Sequence, residues 1–145
     1  MPTPYQHLVE SLAVLQNSDL PQDIRISLEA EKGAFLLGTT AGDVRYLTGK
    51  PRVETHFHEI PPDSVHTTVE NLFQIYPGLA DPGELSPPQA AFVSGYLLHL
   101  TWDVNWALHV FCPCYLNADT WSSWRAAMRS EERRVGKECA TGCRS

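Results

Sequence analysis

The sequence predicts an all-α protein, a helical bundle. Three observations carry that prediction. Residues 5–17 place Leu8, Leu12 and Leu15 on one side of a helix. Residues 90–111 form a long, almost wholly apolar run that Ser86-Pro87-Pro88-Gln89 opens. No stretch alternates apolar and polar residues as a half-buried strand must, so packed helices are the layer architecture that remains.

The elements follow in order. Thr3 is an N-cap and Pro4 suits the first turn of the helix over 5–17, because a first-turn N–H has no partner to lose. A second, short helix is expected over 21–28. The segment 34–43 starts as a buried helical turn; Gly38 and Gly42 allow close packing or a tight turn ahead of Asp43. Residues 52–63 read as a polar loop ending in Pro61-Pro62-Asp63. Ser64 caps a helix that runs to about Tyr76, and 77–86 is loop. The long helix covers 88–110 and Pro113 stops it. Asn117 or Asp119 caps a last helix with Trp121 and Trp124 on a common face. No internal repeat and no phosphate-cradling glycine motif is present.

A chain of 145 residues suffices for one domain with a core. A net charge of -6 offers no basic face to a nucleic-acid backbone. The start, Met1-Pro-Thr-Pro-Tyr5, has neither the basic stretch nor the apolar segment of an export signal, which predicts a cytoplasmic location. The run 90–111 is long enough to cross a bilayer, but His99, Asp103, Asn105 and His109 favour a buried helix. Four cysteines, Cys112, Cys114, Cys139 and Cys143, do not make a disulfide scaffold. Cys112-Pro-Cys114 has one residue between its thiols, not the spacing of a zinc pair, and reads as buried packing.

The sequence changes character at Arg129. Residues 129–145 carry neither helical nor strand periodicity and read as the translation of a DNA sequencing adapter. The expected organisation is therefore a helical domain over 1–128, incomplete at its C-terminus, and a non-native tail over 129–145. Without the tail's five basic and three acidic residues, the 11 Lys/Arg and 17 Asp/Glu fall to 6 and 14, a net charge of -8.

The chemistry concentrates in His99-x3-Asp103-x5-His109. Residues four apart share a helix face, so His99 and Asp103 stack one turn apart on an apolar helix. Burying a carboxylate costs several kcal/mol unless a partner or a metal compensates it. His7, Asp43 and either His56 or His58 supply further donors from other segments. Helix bundles build metal sites from inward-facing side chains in this way, and His/Asp donors without thiolate favour a catalytic zinc. Each has a plainer reading. Asp103 could pair with His99 alone, His7 could be an ordinary core residue, and His109 could answer the dipole at a helix end. His56 and His58 differ by two, so in an extended loop only one faces inward. Trp102 and Trp106 read as packing aromatics.

Four elements together resemble the zinc-dependent phospholipase C family. His99-x3-Asp103-x5-His109, preceded by Ala91-Phe92-Val-Ser-Gly95-Tyr96, looks like its central helix. Phe35-Leu-Leu-Gly38-Thr-Thr-Ala41-Gly-Asp43 is similar to the segment leading into a zinc-binding aspartate. Glu54-Thr55-His56-Phe57 resembles its Thr-His-Phe element, and His7 falls where its early histidine does. The resemblance spans roughly residues 1–115 and favours His56 over His58. It implies that Asp43, His56, His99 and Asp103 hold one zinc, that Asp103 bridges to a second bound also by His7, and that His109 is a ligand of a third. Asp43 is in addition a candidate general base for an attacking water.

The chain departs from the pattern in three places. Gly42 stands where the family usually has proline. Met1 and Pro2 do not match the family's N-terminal tryptophan ligand. Ser123 and Ala127 stand where later histidine and glutamate ligands are expected, so the third zinc site is incomplete. The implied function is a phosphodiester hydrolase with one to three zinc ions, acting on a phospholipid-like substrate such as a phospholipid at a membrane surface, without a transmembrane segment. The alternatives are a non-catalytic, metal-stabilised helical binding module, or a zinc nuclease on the same scaffold, which the negative charge disfavours.

Overall fold

The structure, a computed structural model, describes residues 2–116. Its helices are α1 (Pro4–Gln16), α2 (Gln22–Ala30), α3 (Lys32–Ala41), α4 (Arg45–Thr48), α5 (Arg52–His56), α6 (Val65–Ile75) and α7 (Pro87–Trp106). No strand occurs among the described residues, so the all-α expectation holds there. No helix among them is long and apolar enough to cross a membrane. The expected last helix, Cys139 and Cys143, and the 129–145 tail lie outside the described residues.

The caps fall where the sequence places them. Thr3 Oγ1 accepts from the Gln6 amide at 3.3 Å, and Ser64 Oγ accepts from the Thr67 amide at 3.0 Å. Gln89 Oε1 accepts from the Ser86 amide at 3.0 Å and from its hydroxyl at 2.7 Å, which closes the entry to α7 behind the two prolines.

Three expectations need correction. The polar stretch 52–63 is not loop throughout, because α5 occupies its first five residues. Nor does the last long helix stop at Pro113. Past Trp106 the chain continues as a π-helical coil, Ala107–Leu116, which carries Pro113 inside it. In an α-helix, proline clashes with the carbonyl four residues earlier; in the wider coil that carbonyl is no longer the bonding partner. The third correction concerns Cys112 and Cys114. They are half-buried and exposed, so they are not buried packing residues.

The most extensive helix contact is between α3 and α7. It is a backbone-to-backbone crossing. A Cβ at Gly38 would collide with the Phe92 carbonyl oxygen, and a Cβ at Gly95 with the Phe35 carbonyl oxygen. The two glycines therefore serve each other's helix. Leu15, Leu28, Phe35 and Ala91 form one core cluster, and Phe57, Leu72 and Leu100 form a second. Burying side chains of this size contributes roughly 1.5–3 kcal/mol each.

Gly95→Ala should destabilise the protein by about 1–3 kcal/mol through overpacking, read as a lower denaturation midpoint with unchanged slope. Gly33, also in α3, has no heavy atom near the position of an added Cβ. Gly33→Ala should raise stability by about 0.4–1 kcal/mol in the same assay, through lost freedom in the unfolded chain. Equal effects of the two substitutions would contradict the close crossing.

Candidate metal centre

Three histidines and two aspartates from separate segments meet beneath this crossing. α1 contributes His7, which shares a buried stripe with Ser11 and Leu15, each one turn further along. The 3-10 turn Gly42–Val44 that ends α3 contributes Asp43. α5 contributes His56 from its last position. α7 contributes His99 and Asp103 from one face. All five side chains are buried.

Two trios have donor atoms within 4.8 Å of one another: His7, His99 and Asp103, and Asp43, His56 and His99. His99 belongs to both. Asp103 spans them, with Oδ1 3.4 Å from His7 Nε2 and Oδ2 3.2 Å from His56 Nε2. Asp43 Oδ1 lies 3.9 Å from His56 Nε2. The structure thus brings together His7, Asp43, His56, His99 and Asp103. It does not bring in His109, which is exposed in the π-helical coil and belongs to neither trio.

The rings are pinned from behind. His99 Nδ1 donates to the Thr39 carbonyl at 3.0 Å, which leaves Nε2 as a bare acceptor. That carbonyl lies in the last turn of α3, where carbonyls lack a helical partner. His56 Nδ1 contacts Thr55 Oγ1 at 2.9 Å, and the same hydroxyl reaches the Arg52 carbonyl at 3.4 Å. If the hydroxyl donates to that carbonyl, it accepts from Nδ1, and His56 Nε2 is bare as well. The Tyr96 hydroxyl donates to the Thr55 carbonyl at 2.5 Å and fixes the end of α5 against α7. Gly42 matters here: a Cβ on it would collide with His99 Nε2. Glycine leaves that space to the imidazole.

Electrostatics favour a cation at this place. The Nε2 atoms of His56 and His99 face each other at 3.3 Å. His99 Nε2 is an acceptor, so the gap is bridged either by an N–H on His56 Nε2 or, when Thr55 fixes that proton on Nδ1, by a cation. Burial lowers His99 to about 3 and also lowers His56, so both rings are neutral and suited to ligate a metal. Two ligands of a tetrahedral zinc at ~2.0–2.1 Å lie about 3.3 Å apart, which matches the observed gap. Asp43 Oδ2, Asp103 Oδ1 and both ring nitrogens of His7 are buried without a hydrogen-bond partner among the described residues. Unmet buried polar atoms cost about 1–3 kcal/mol each. A simple Asp103–His pair explains that carboxylate, but not the unmet Oδ2 of Asp43. Donor set and spacing fit zinc.

Charge separates the two carboxylates. Burial and then the nearby Asp103 charge raise Asp43 to about 6. Burial alone would raise Asp103 too, but contacts with His56 and His7 and the Arg52 charge outweigh it and hold the carboxyl well below its ordinary value.

Sequence reasoning missed Arg52. Its NH2 donates to Asp103 Oδ2 at 2.6 Å and contacts His58 Nε2 at 3.1 Å. The signal was its position four residues before His56, which becomes a shared face once the segment is helical. His58 is buried as well, contrary to the expectation that one of the pair faces outward. The chain there is not extended. Phe57 takes a left-handed conformation, φ 60°, and turns both neighbours inward. Asn71 Nδ2 secures that turn by donating to the Phe57 carbonyl at 3.0 Å. His58 packs against Arg52 and Thr68, outside both trios. Burial and then the Arg52 charge lower it to about 4.

Fold and site define an all-helical protein with a buried histidine–aspartate centre of zinc-binding character. Residues 3–133 of the 145 match the family described as zinc dependent phospholipase C, and the chain belongs to that family. No curated protein and no solved structure gives a significant match.

Because His99 serves both trios, His99→Ala should reduce zinc retained after dialysis to below about a tenth of the wild-type amount, by elemental analysis. His109→Ala should retain the wild-type amount. Loss of zinc in the His109 variant would place that residue in the centre after all.

Proposed function

We propose that the chain is a zinc-dependent phosphodiester hydrolase of the phospholipase C type, acting on a phospholipid-like phosphodiester. The observation that carries this reading is that His99 belongs to two buried ligand trios and Asp103 reaches a histidine of each, in a chain of this family. Asp43, His56, His99 and Asp103 would hold one zinc, and Asp103 with His7 would hold a second, Asp103 offering one oxygen to each side.

Zinc supplies Lewis acidity, offsetting charge on phosphoryl oxygens and making a nearby water acidic enough to attack at neutral pH. The chain's own residues supply the rest. Thr39 and Thr55 keep the imidazoles aimed inward, so no reorganisation is needed when ligand binds. Asp43 turns Oδ1 toward His56, while Oδ2 has no partner among the described residues and is the atom that would accept a proton from the attacking water. Burial of the trios keeps bulk water from competing with the substrate oxygens.

Chelation should abolish hydrolysis of phospholipid vesicles and of a soluble phosphodiester, and added zinc should restore both. Asp103→Asn should lower the zinc-restored rate by more than about 100-fold, since even outer ligand partners are worth 10–100-fold. Zinc-loaded, fully helical protein without activity on either substrate would instead favour a non-catalytic, metal-stabilised module. Activity that survives chelation would contradict the zinc reading.

A further inference from the structure

We propose that Arg52 is the phosphoryl anchor of this centre, binding the anionic oxygens of a phosphodiester through guanidinium donors that the fold leaves unspent. The proposal rests on the phosphodiesterase reading above and identifies the residue that would hold the substrate's charge.

The Arg52 side chain is 10% exposed, nine-tenths buried. A guanidinium has five N–H donors, of which Nε carries one and each terminal nitrogen two. Only NH2 is engaged, on Asp103 Oδ2 at 2.6 Å and at His58 Nε2 at 3.1 Å. Nε and NH1 are buried and have no hydrogen-bond partner among the described residues. A guanidinium that served only to orient Asp103 would be expected to present its fork to both carboxylate oxygens, as bidentate Arg–carboxylate pairs do. Here it meets one oxygen with one nitrogen, and Asp103 Oδ1 is left toward His7. Three N–H donors therefore remain beside a carboxylate that spans both ligand trios.

Tetrahedral oxyanions match such donors well, and a phosphodiester carries two non-bridging oxygens that share one negative charge. Arg45, two residues after Asp43, adds a second guanidinium whose Nε is likewise buried without a partner. Its charge and that of Arg52 both act on Asp43 and on His56. Arginine suits this duty better than lysine because it stays charged when buried and presents a planar set of donors.

The test is calorimetric titration of inorganic phosphate and of dimethyl phosphate into the zinc-loaded full chain, for wild type, Arg52→Lys and Arg52→Gln, with zinc content measured alongside. Wild type should bind the diester at least as tightly as inorganic phosphate. Arg52→Gln should weaken both by about 10- to 100-fold at unchanged zinc content, as expected for losing charged hydrogen bonds. Arg52→Lys, which keeps the charge, should fall between the two and raise KM more than it lowers kcat. Unchanged affinity in both variants, or loss of zinc in step with loss of anion binding, would overturn the anchor and leave Arg52 as a support for Asp103. Binding of inorganic phosphate alone would overturn its assignment to the diester. An anchor that passes these binding tests in a protein that hydrolyses no phosphodiester would refute the enzymatic reading and not the anchor.

Discussion

The structure depends on the close crossing of α3 and α7. Gly38 and Gly95 each meet a carbonyl oxygen of the other helix, so the two backbones touch where side chains would ordinarily separate them. That contact brings the end of α3 within hydrogen-bond reach of the middle of α7. The Thr39 carbonyl can then orient His99, and Gly42 can give its imidazole room. Wider separation would break the hydrogen bond and move Asp43 away from His99 together. Packing and site geometry are therefore one constraint seen from two sides.

Around that crossing the centre is assembled from opposed costs. Two aspartates and three histidines are taken out of water, and several of their polar atoms gain no partner in exchange. Burial alone is unfavourable for both carboxylates. Arg52 offsets part of it at Asp103, and a cation between the facing Nε2 atoms would offset most of the rest. Such a centre is stable when occupied and strained when bare, which couples folding stability to metal binding.

Much of this was legible in the sequence. The caps Thr3, Ser64 and Ser86 are local chemistry and sit where they were expected. His99 and Asp103 followed from a four-residue spacing on an apolar helix. Assigning His7, Asp43 and His56 to the same centre needed the family resemblance, because no periodicity says which distant segments meet. Failures occurred where local rules gave way to tertiary context. Helix α5 is five residues long, too short to show a pattern, so Arg52 went unnoticed and the left-handed turn at Phe57 that admits His58 was not foreseen. Pro113 signals the end of an α-helix, and the chain answered with a wider coil instead. His109 fits the motif by spacing; it is exposed and in neither trio, and lines a cavity together with His7.

The most direct test of the central claim is a crystal structure of the zinc-loaded protein, with anomalous differences collected on either side of the zinc absorption edge. A zinc peak is expected about 2.0–2.1 Å from both His56 Nε2 and His99 Nε2, with Asp43 or Asp103 oxygen in the same shell. A zinc peak at the cysteines or on the surface, with the facing histidines joined only by a proton, would contradict it.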